Sequence, residues 1–255
     1  MTNSRYKSYM ICTSPRSGST LLCKLLEETG VAGNPGSYFH NPSLASWLQS
    51  NGLNADAFST HEAALRAIYN AAIAEGRGDT AIFGLRMQRK SFDFFMQQTA
   101  LLHGDMQTDV ARIEAAFGPT LFIYLTRASK LDQAISLVKA RQTGLWHMAA
   151  DGTELERLSE PQQPYYDGAA IGHHLAELKQ LDEAWKTWFR HENVQPLEVS
   201  YDRLSSDPRR ILADILNALG LQKSLAANAS PPTQKLADAT SRQWAARYAA
   251  ETTAG

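Results

Sequence analysis

The segment Tyr9-Met10-Ile11-Cys12-Thr13-Ser14-Pro15-Arg16-Ser17-Gly18-Ser19-Thr20 constrains this chain most, because it passes from an apolar strand through a small-residue turn into a helix. Leu21, Leu22, Leu25 and Leu26 then recur at helical spacing, which predicts that the backbone N–H groups of residues 16–20 stand at a helix N-terminus. Unpaired donors and the positive end of the helix dipole favour a phosphate or sulfuryl group there. Arg16 adds a charged fork, and Ser17, Ser19 and Thr20 add hydroxyls. A well-capped turn with no ligand has the same composition, so the rest of the chain must choose between the two.

What the turn lacks narrows the anion. An ATP or GTP hydrolase needs G-x-x-x-x-G-K-[ST], with a lysine on the terminal phosphates and a hydroxyl on magnesium; no G-K pair occurs here. A thiolate phosphatase needs a cysteine inside the turn, whereas Cys12 precedes it, in the strand, where core packing is the expected role.

Short apolar runs alternate with longer helical patterns, predicting an α/β fold with a parallel sheet covered by helices. Core strands are expected near Tyr9–Thr13, Ala81–Leu85, Thr120–Thr126 and Gln195–Ser200. Helices are expected over Thr20–Thr29, His61–Glu75, Ser91–Leu102, Ser129–Gln142, Ala169–His191 and Pro208–Leu219. Gly30 and Gly220 fit left-handed C-caps, and Ser129-x-x-Asp132 reads as a capping box. Residues 34–59 and 150–168 read as irregular, a length often found in lids and binding loops. At 255 residues and 44% hydrophobic content, the whole chain, 1–255, suits one large domain. Its 25 basic and 26 acidic residues give no broad field for nucleic acid. Two cysteines, Cys12 and Cys23, form no disulfide framework. With a polar start and no apolar run of roughly 18 residues, a cytoplasmic protein without a membrane span is expected.

Ser14-Pro15-Arg16-Ser17-Gly18-Ser19-Thr20 resembles the 5′-phosphosulfate loop of sulfotransferases that use 3′-phosphoadenylyl sulfate (PAPS), and its R-S-G-S-T form is similar to the bacterial trehalose 2-sulfotransferase type. Three more segments resemble that family: Leu121–Arg127 followed by Ser129–Arg141, Ala184–Phe189 with Glu192-Asn193-Val194, and Tyr201-Asp202-Arg203-Leu204 ending at Asp207-Pro208. A similar tail, Ala237-Asp238 through Trp244 and Arg247-Tyr248, extends the match over nearly the whole chain. The resemblance implies a P-loop-like sulfotransferase fold, PAPS as co-substrate and no metal; His173 and His174, being adjacent, are expected on different helix faces. It places the 5′ end of the donor on residues 14–20, with Arg16 neutralising the leaving phosphate. The 3′-phosphate falls to Arg127 and Ser136. Tyr201 lies near the nucleotide, and Lys235 and Arg242 in the tail, 230–255, close over the same phosphate. Relatives of this type dimerise, so a homodimer is an expectation.

The acceptor side departs from the pattern. Where the trehalose-type enzymes read G-E-P-Q-E-F-F, with the second glutamate the proposed base, this chain reads Gly33-Asn34-Pro35-Gly36-Ser37-Tyr38-Phe39-His40. Ser37 stands in the base's catalytic position and cannot take a proton near neutral pH. A general base contributes about 10²–10⁴ in rate. His40 is the nearby group with a suitable ordinary pKa and is the expected base. Arg86 aligns with a family lysine, and Arg86, Tyr38 and Phe39 are the expected acceptor-binding residues. The expected reaction is sulfuryl transfer from PAPS to a hydroxyl of a small acceptor, such as a carbohydrate or glycolipid. A degenerate protein that keeps nucleotide binding without catalysis, and a small-molecule kinase with an unusual loop, remain as alternatives.

Overall fold

In the computed structural model of the chain, residues 5–148, 151–229 and 238–253 are described. Four parallel strands, β1 (Ser8–Thr13), β2 (Phe83–Gln88), β3 (Thr120–Thr126) and β6 (Leu197–Ser200), form one sheet in the order β2-β1-β3-β6. Because strand side chains alternate between faces, Met10, Cys12, Phe122 and Tyr124 point to one core and Tyr9, Ile11, Leu121, Ile123 and Leu125 to the other. Both faces are therefore apolar, as a helix-covered parallel sheet requires.

One face is covered by α3 (His61–Arg77), α4 (Arg89–Leu102), α5 (Asp109–Phe117) and the C-terminal half of α7 (Gly168–His191), around an aromatic cluster that includes Phe39, Phe83, Phe92, Phe95, Trp185 and Trp188. The other is covered by α1 (Ser19–Glu28) and α9 (Pro208–Ala218). Each fully buried large apolar side chain contributes about 1.5–3 kcal/mol relative to exposure. Helix α6 (Lys130–Thr143) packs on α7, and α10 (Ala239–Thr253) packs on α6 through Trp244.

The expected strands and helices all form, with shifted ends. The second strand runs two to three residues later than expected, so Arg86 lies within it. Gly30 and Gly220 have φ of 66° and 70°, each just past a helix, and Ser129 Oγ accepts from the Asp132 N–H at 3.2 Å. Residues 34–59 are less irregular than expected: α2 (Leu44–Ser50) starts on a Ser43 cap, and Gly36 bridges to Leu85. The segment before 168 carries a hairpin of β4 (Leu145–Met148) and β5 (Glu154–Arg157). Helix α5, unanticipated from the sequence, has its signal in the Thr108 cap and the buried Ile113–Phe117 pair one turn apart. Tyr201 opens a short helix, α8 (Tyr201–Ser206).

Strand β1 has β2 on one side and β3 on the other. The chain changes direction across the sheet there, and ligands of open α/β sheets bind at the carboxyl edge beside such a point. The loop from β1 to α1 stands at that edge.

Candidate active site

Residues 14–18 fold as a tight turn because two of them adopt left-handed backbone: Arg16, with φ 62°, and Gly18, the α1 N-cap, with φ 89°. A Cβ on Gly18 would lie 2.3 Å from Tyr201 Cδ2. Glycine at this position thus meets both the backbone and the packing requirement.

The hydroxyls expected on the anion divide into two sets. Ser14 and Ser17 are fully buried behind the turn. Ser17 Oγ lies 2.5 Å from Thr13 Oγ1, and Ser14 Oγ accepts from Gln133 Nε2 at 3.0 Å and approaches Asp182 Oδ1 at 3.4 Å. They hold the loop. Pro15, Arg16, Gly18, Ser19 and Thr20 line a cavity of about 1190 Å³. That exceeds the roughly 300–1,000 Å³ of a site for one drug-sized ligand.

Arg127 and Tyr201 also line this cavity, from just past the end of β3 and from the start of α8. The Arg127 guanidinium sits over the Tyr201 ring, 4.8 Å from its centroid, and lies 3.9 Å from Asp132 Oδ2. Its Nε is buried with no hydrogen-bond partner among the described residues. A buried unpaired donor on a cation is costly, and an anion bound in the cavity would offset that cost. Arg16 donates through Nε to Ser136 Oγ at 3.0 Å and through Nη1 to the Trp146 carbonyl. Burial and the positive charge of Arg127 push its pKa down to about 10, so it stays charged at neutral pH, and both guanidiniums face the cavity. Arg242 reaches the same cavity from α10; Lys235 lies outside the described residues.

On the opposite side, Arg86 donates to Ser37 Oγ at 2.7 Å through Nε and to Thr20 Oγ1 at 3.0 Å through Nη1. Ser37 therefore receives a guanidinium where the relatives' pattern has a carboxylate. Tyr38 and Phe39, expected to bind acceptor, turn the other way. Phe39 is 1% exposed, within 4.8–5.1 Å (ring centroids) of Trp47, Tyr69 and Phe95, and Tyr38 donates to the Asn34 carbonyl beside Phe83. Aromatic rings are drawn into the core by the area they bury, which decides their direction here. His40 lines the cavity at an exposed position, and burial of part of its ring together with Arg86 lowers its pKa.

Sequence reasoning missed the hairpin wall. Trp146, His147, Glu156 and Arg157 line the cavity from β4 and β5. His147 Nε2 lies 3.0 Å from Thr20 Oγ1 and 3.3 Å from Glu156 Oε2. Strands this short and half-exposed carry almost no periodicity, so these residues had no local signal. Behind the cavity wall, the rings of His173 and His174, expected on different helix faces, lie 5.2 Å apart and join Glu177 in a group with ligand atoms within 4.8 Å. Lys90 engages Glu177 and Arg141 Nη1 lies 3.0 Å from His174 Nε2, two positive charges that oppose a metal ion at that place.

No helix of the described residues is long and apolar enough to cross a membrane. Residues 8–251 match the model of the Stf0 sulphotransferase family. The chain is 26% identical to a trehalose 2-sulfotransferase of Mycobacterium tuberculosis, covering 96% of this chain and 95% of that one. It is 28% identical to the trehalose 2-sulfotransferase of Mycolicibacterium smegmatis, covering 94% of each. Among solved structures it matches a sulfotransferase from Alicyclobacillus acidocaldarius at 13% identity and a TM-score of 0.44, over 95% of this chain and 91% of that chain. A tight strand–turn–helix loop, two guanidiniums on one cavity and a family match over nearly the whole length agree, and the chain belongs to the Stf0 sulphotransferase family, whose members are sulfuryl-transferring enzymes.

Proposed function

We propose that this enzyme takes the sulfuryl group from PAPS and passes it to a hydroxyl of a small carbohydrate-like acceptor bound on the hairpin side of the cavity. The observation that carries the donor assignment is the pair Arg16 and Arg127. Both are largely buried, both face one cavity, and Arg127 Nε has no partner among the described residues. A donor with anions at both ends answers that arrangement: the turn amides of residues 16–20 and Arg16 hold the 5′ end, and Arg127 with Arg242 holds the 3′-phosphate. The donor supplies an activated sulfuryl group, and the protein supplies position and charge. Arg16 neutralises the negative charge that builds on the departing phosphate oxygen, helped by Ser19, Thr20 and the α1 N-terminus. Such preorganised donors carry much of the catalysis in transfers of this kind, and this chemistry requires no metal. Ser136, bonded to Arg16 Nε, orients the guanidinium in addition to its expected role at the 3′-phosphate.

The acceptor is assigned as a class, a carbohydrate-like alcohol. The relatives named for trehalose suggest a sugar, but the exchange of the motif glutamate for Ser37 changes the wall that faces it. The test is calorimetric titration with 3′-phosphoadenosine 5′-phosphate (PAP), with ATP as control, on the wild type and on Arg127→Ala. Selective PAP binding, weakened about 10-fold or more by the substitution, is expected, since a charged hydrogen bond contributes about 1.5–3 kcal/mol. No binding, or a preference for ATP, would sink the donor assignment.

A further inference from the structure

With Ser37 unable to take a proton, the acceptor hydroxyl needs another base. Two histidines line the cavity. His40 is exposed, and its ring has no hydrogen-bond partner among the described residues to fix its orientation. His147 is different: its Nε2 is 3.0 Å from Thr20 Oγ1, on the first turn of α1, and 3.3 Å from the Glu156 carboxylate on the neighbouring strand. Thr20 itself receives an N–H from Arg86, so its own proton is free to point at a bare Nε2. The ring is thus held against the anion loop, with an acid placed to accept a positive charge on the same nitrogen.

We infer that His147, oriented by Thr20 and Glu156, is the general base for the acceptor hydroxyl, replacing the carboxylate that the sequence lacks at Ser37; this rests on the sulfuryl-transfer reading above. In the step, the acceptor hydroxyl takes the place of the Thr20 proton at His147 Nε2, its O–H bond breaks and its proton passes to Nε2 as the acceptor oxygen bonds to sulfur. The bond from sulfur to the bridging phosphate oxygen breaks, and the electron pair stays on that oxygen beside Arg16. Glu156 is a positioning residue that steadies the imidazolium.

The charged groups around the ring make this base depend on the donor. Burial, Arg16 and Arg86 hold the His147 pKa down to about 4. An anion bound between Arg16 and the loop offsets those guanidiniums and raises the pKa toward the working range of a general base. Proton abstraction is then strong only with donor in place.

The test is an NMR pH titration of the histidine imidazoles with and without PAP, assigned through His147→Gln and His40→Gln, together with turnover of PAPS using trehalose and 4-nitrophenol as acceptors. His147 is expected to titrate near pH 4 in the free protein and at least about one pH unit higher with PAP. His147→Gln is expected to lower kcat about 10²-fold or more, to leave PAP affinity unchanged, and to recover part of its turnover when imidazole is added. His40→Gln is expected to keep most activity. A His147 resonance unmoved by bound PAP overturns the inference, as does wild-type turnover in His147→Gln or a loss confined to His40→Gln. If neither acceptor is turned over by the wild type, the titration alone decides. Absence of PAP binding fails the donor assignment and takes the inference with it, whereas binding without a His147 response fails the inference alone.

Discussion

Gly18 shows how tightly single residues are specified around the loop from β1 to α1. Its φ of 89° lies where a side chain is strained, and the Tyr201 ring occupies the space of the missing Cβ. Tyr201 in turn carries the Arg127 guanidinium on its face. Gly18→Ala is therefore expected to destabilise the fold by about 1–2 kcal/mol through strain. Because Tyr201 must move, it is also expected to weaken PAP binding more than Gly30→Ala, whose Cβ meets nothing within 4 Å. Chemical denaturation and calorimetry on the two variants check this, and equal PAP affinity in both would refute it. His147 makes a separate prediction about pH. Its pKa is lowered on folding from the ordinary 6.5 to about 4, so the unfolded chain binds more protons between those values. Its contribution to stability is then complete above about pH 6.5 and falls as pH drops toward 4. Denaturation midpoints of His147→Gln are expected to show a shallower loss over that window than the wild type, although His40, shifted in the same direction, adds to both curves.

At the scale of elements, the site is assembled by a brace that lies behind it. Lys130, at the start of α6, pairs with Asp182 of α7 at 2.5 Å and donates to Thr126 Oγ1 at 2.8 Å and to the Arg127 carbonyl at 2.7 Å. Asp182 also takes the Thr126 hydroxyl at 2.7 Å and lies beside Ser14, while Gln133 donates to the Pro15 carbonyl at 2.6 Å. The ends of β1 and β3, each carrying one guanidinium, are thus tied to one buried ion pair. Removing one partner of such a pair costs about 3–5 kcal/mol, because it strands the other charge. Asp182→Ala is expected to lose about that much in a denaturant titration. A Lys130→Met, Asp182→Leu double variant is expected to recover much of the stability while still binding PAP less tightly, since the loop loses its tether. Full recovery of affinity in the double variant would show that the brace only stabilises. The segment Ala184–Val194, which resembles the family closely, belongs to the same framework: Trp185 Nε1 donates to the Thr13 carbonyl at 2.9 Å, Trp188 Nε1 to Asp109 Oδ2 at 3.0 Å, and Glu192 Oε2 accepts from the Val110 N–H at 3.0 Å. Its residues place β1 and α5 and do not line the large cavity.

Across the whole molecule, stability and function are separated in space. The sheet is buried on both faces, whereas the hairpin β4–β5 is half-exposed and joins α6 through few bonds, among them Arg157 to the Thr143 carbonyl at 2.5 Å. Hydrogen exchange is expected to be slow in β1 and β3 and fast in β4 and β5, with PAP protecting the hairpin through Arg16 and Trp146. Uniform protection across the chain would contradict that division. The sequence by itself determined the parallel α/β fold, the strand–turn–helix loop and the position of Arg127 at the end of a strand. Those features arise from local periodicity, caps and small-residue turns, which act over a few neighbouring residues. It also showed that Ser37 cannot be the base. Only the tertiary structure decided that Ser14 and Ser17 face inward, that Tyr38 and Phe39 belong to the core side, and that His147 meets Thr20 from 127 positions away with Glu156 beside its ring. Which of several polar or aromatic neighbours reaches the cavity depends on the packing of distant elements, and no local pattern encodes that choice.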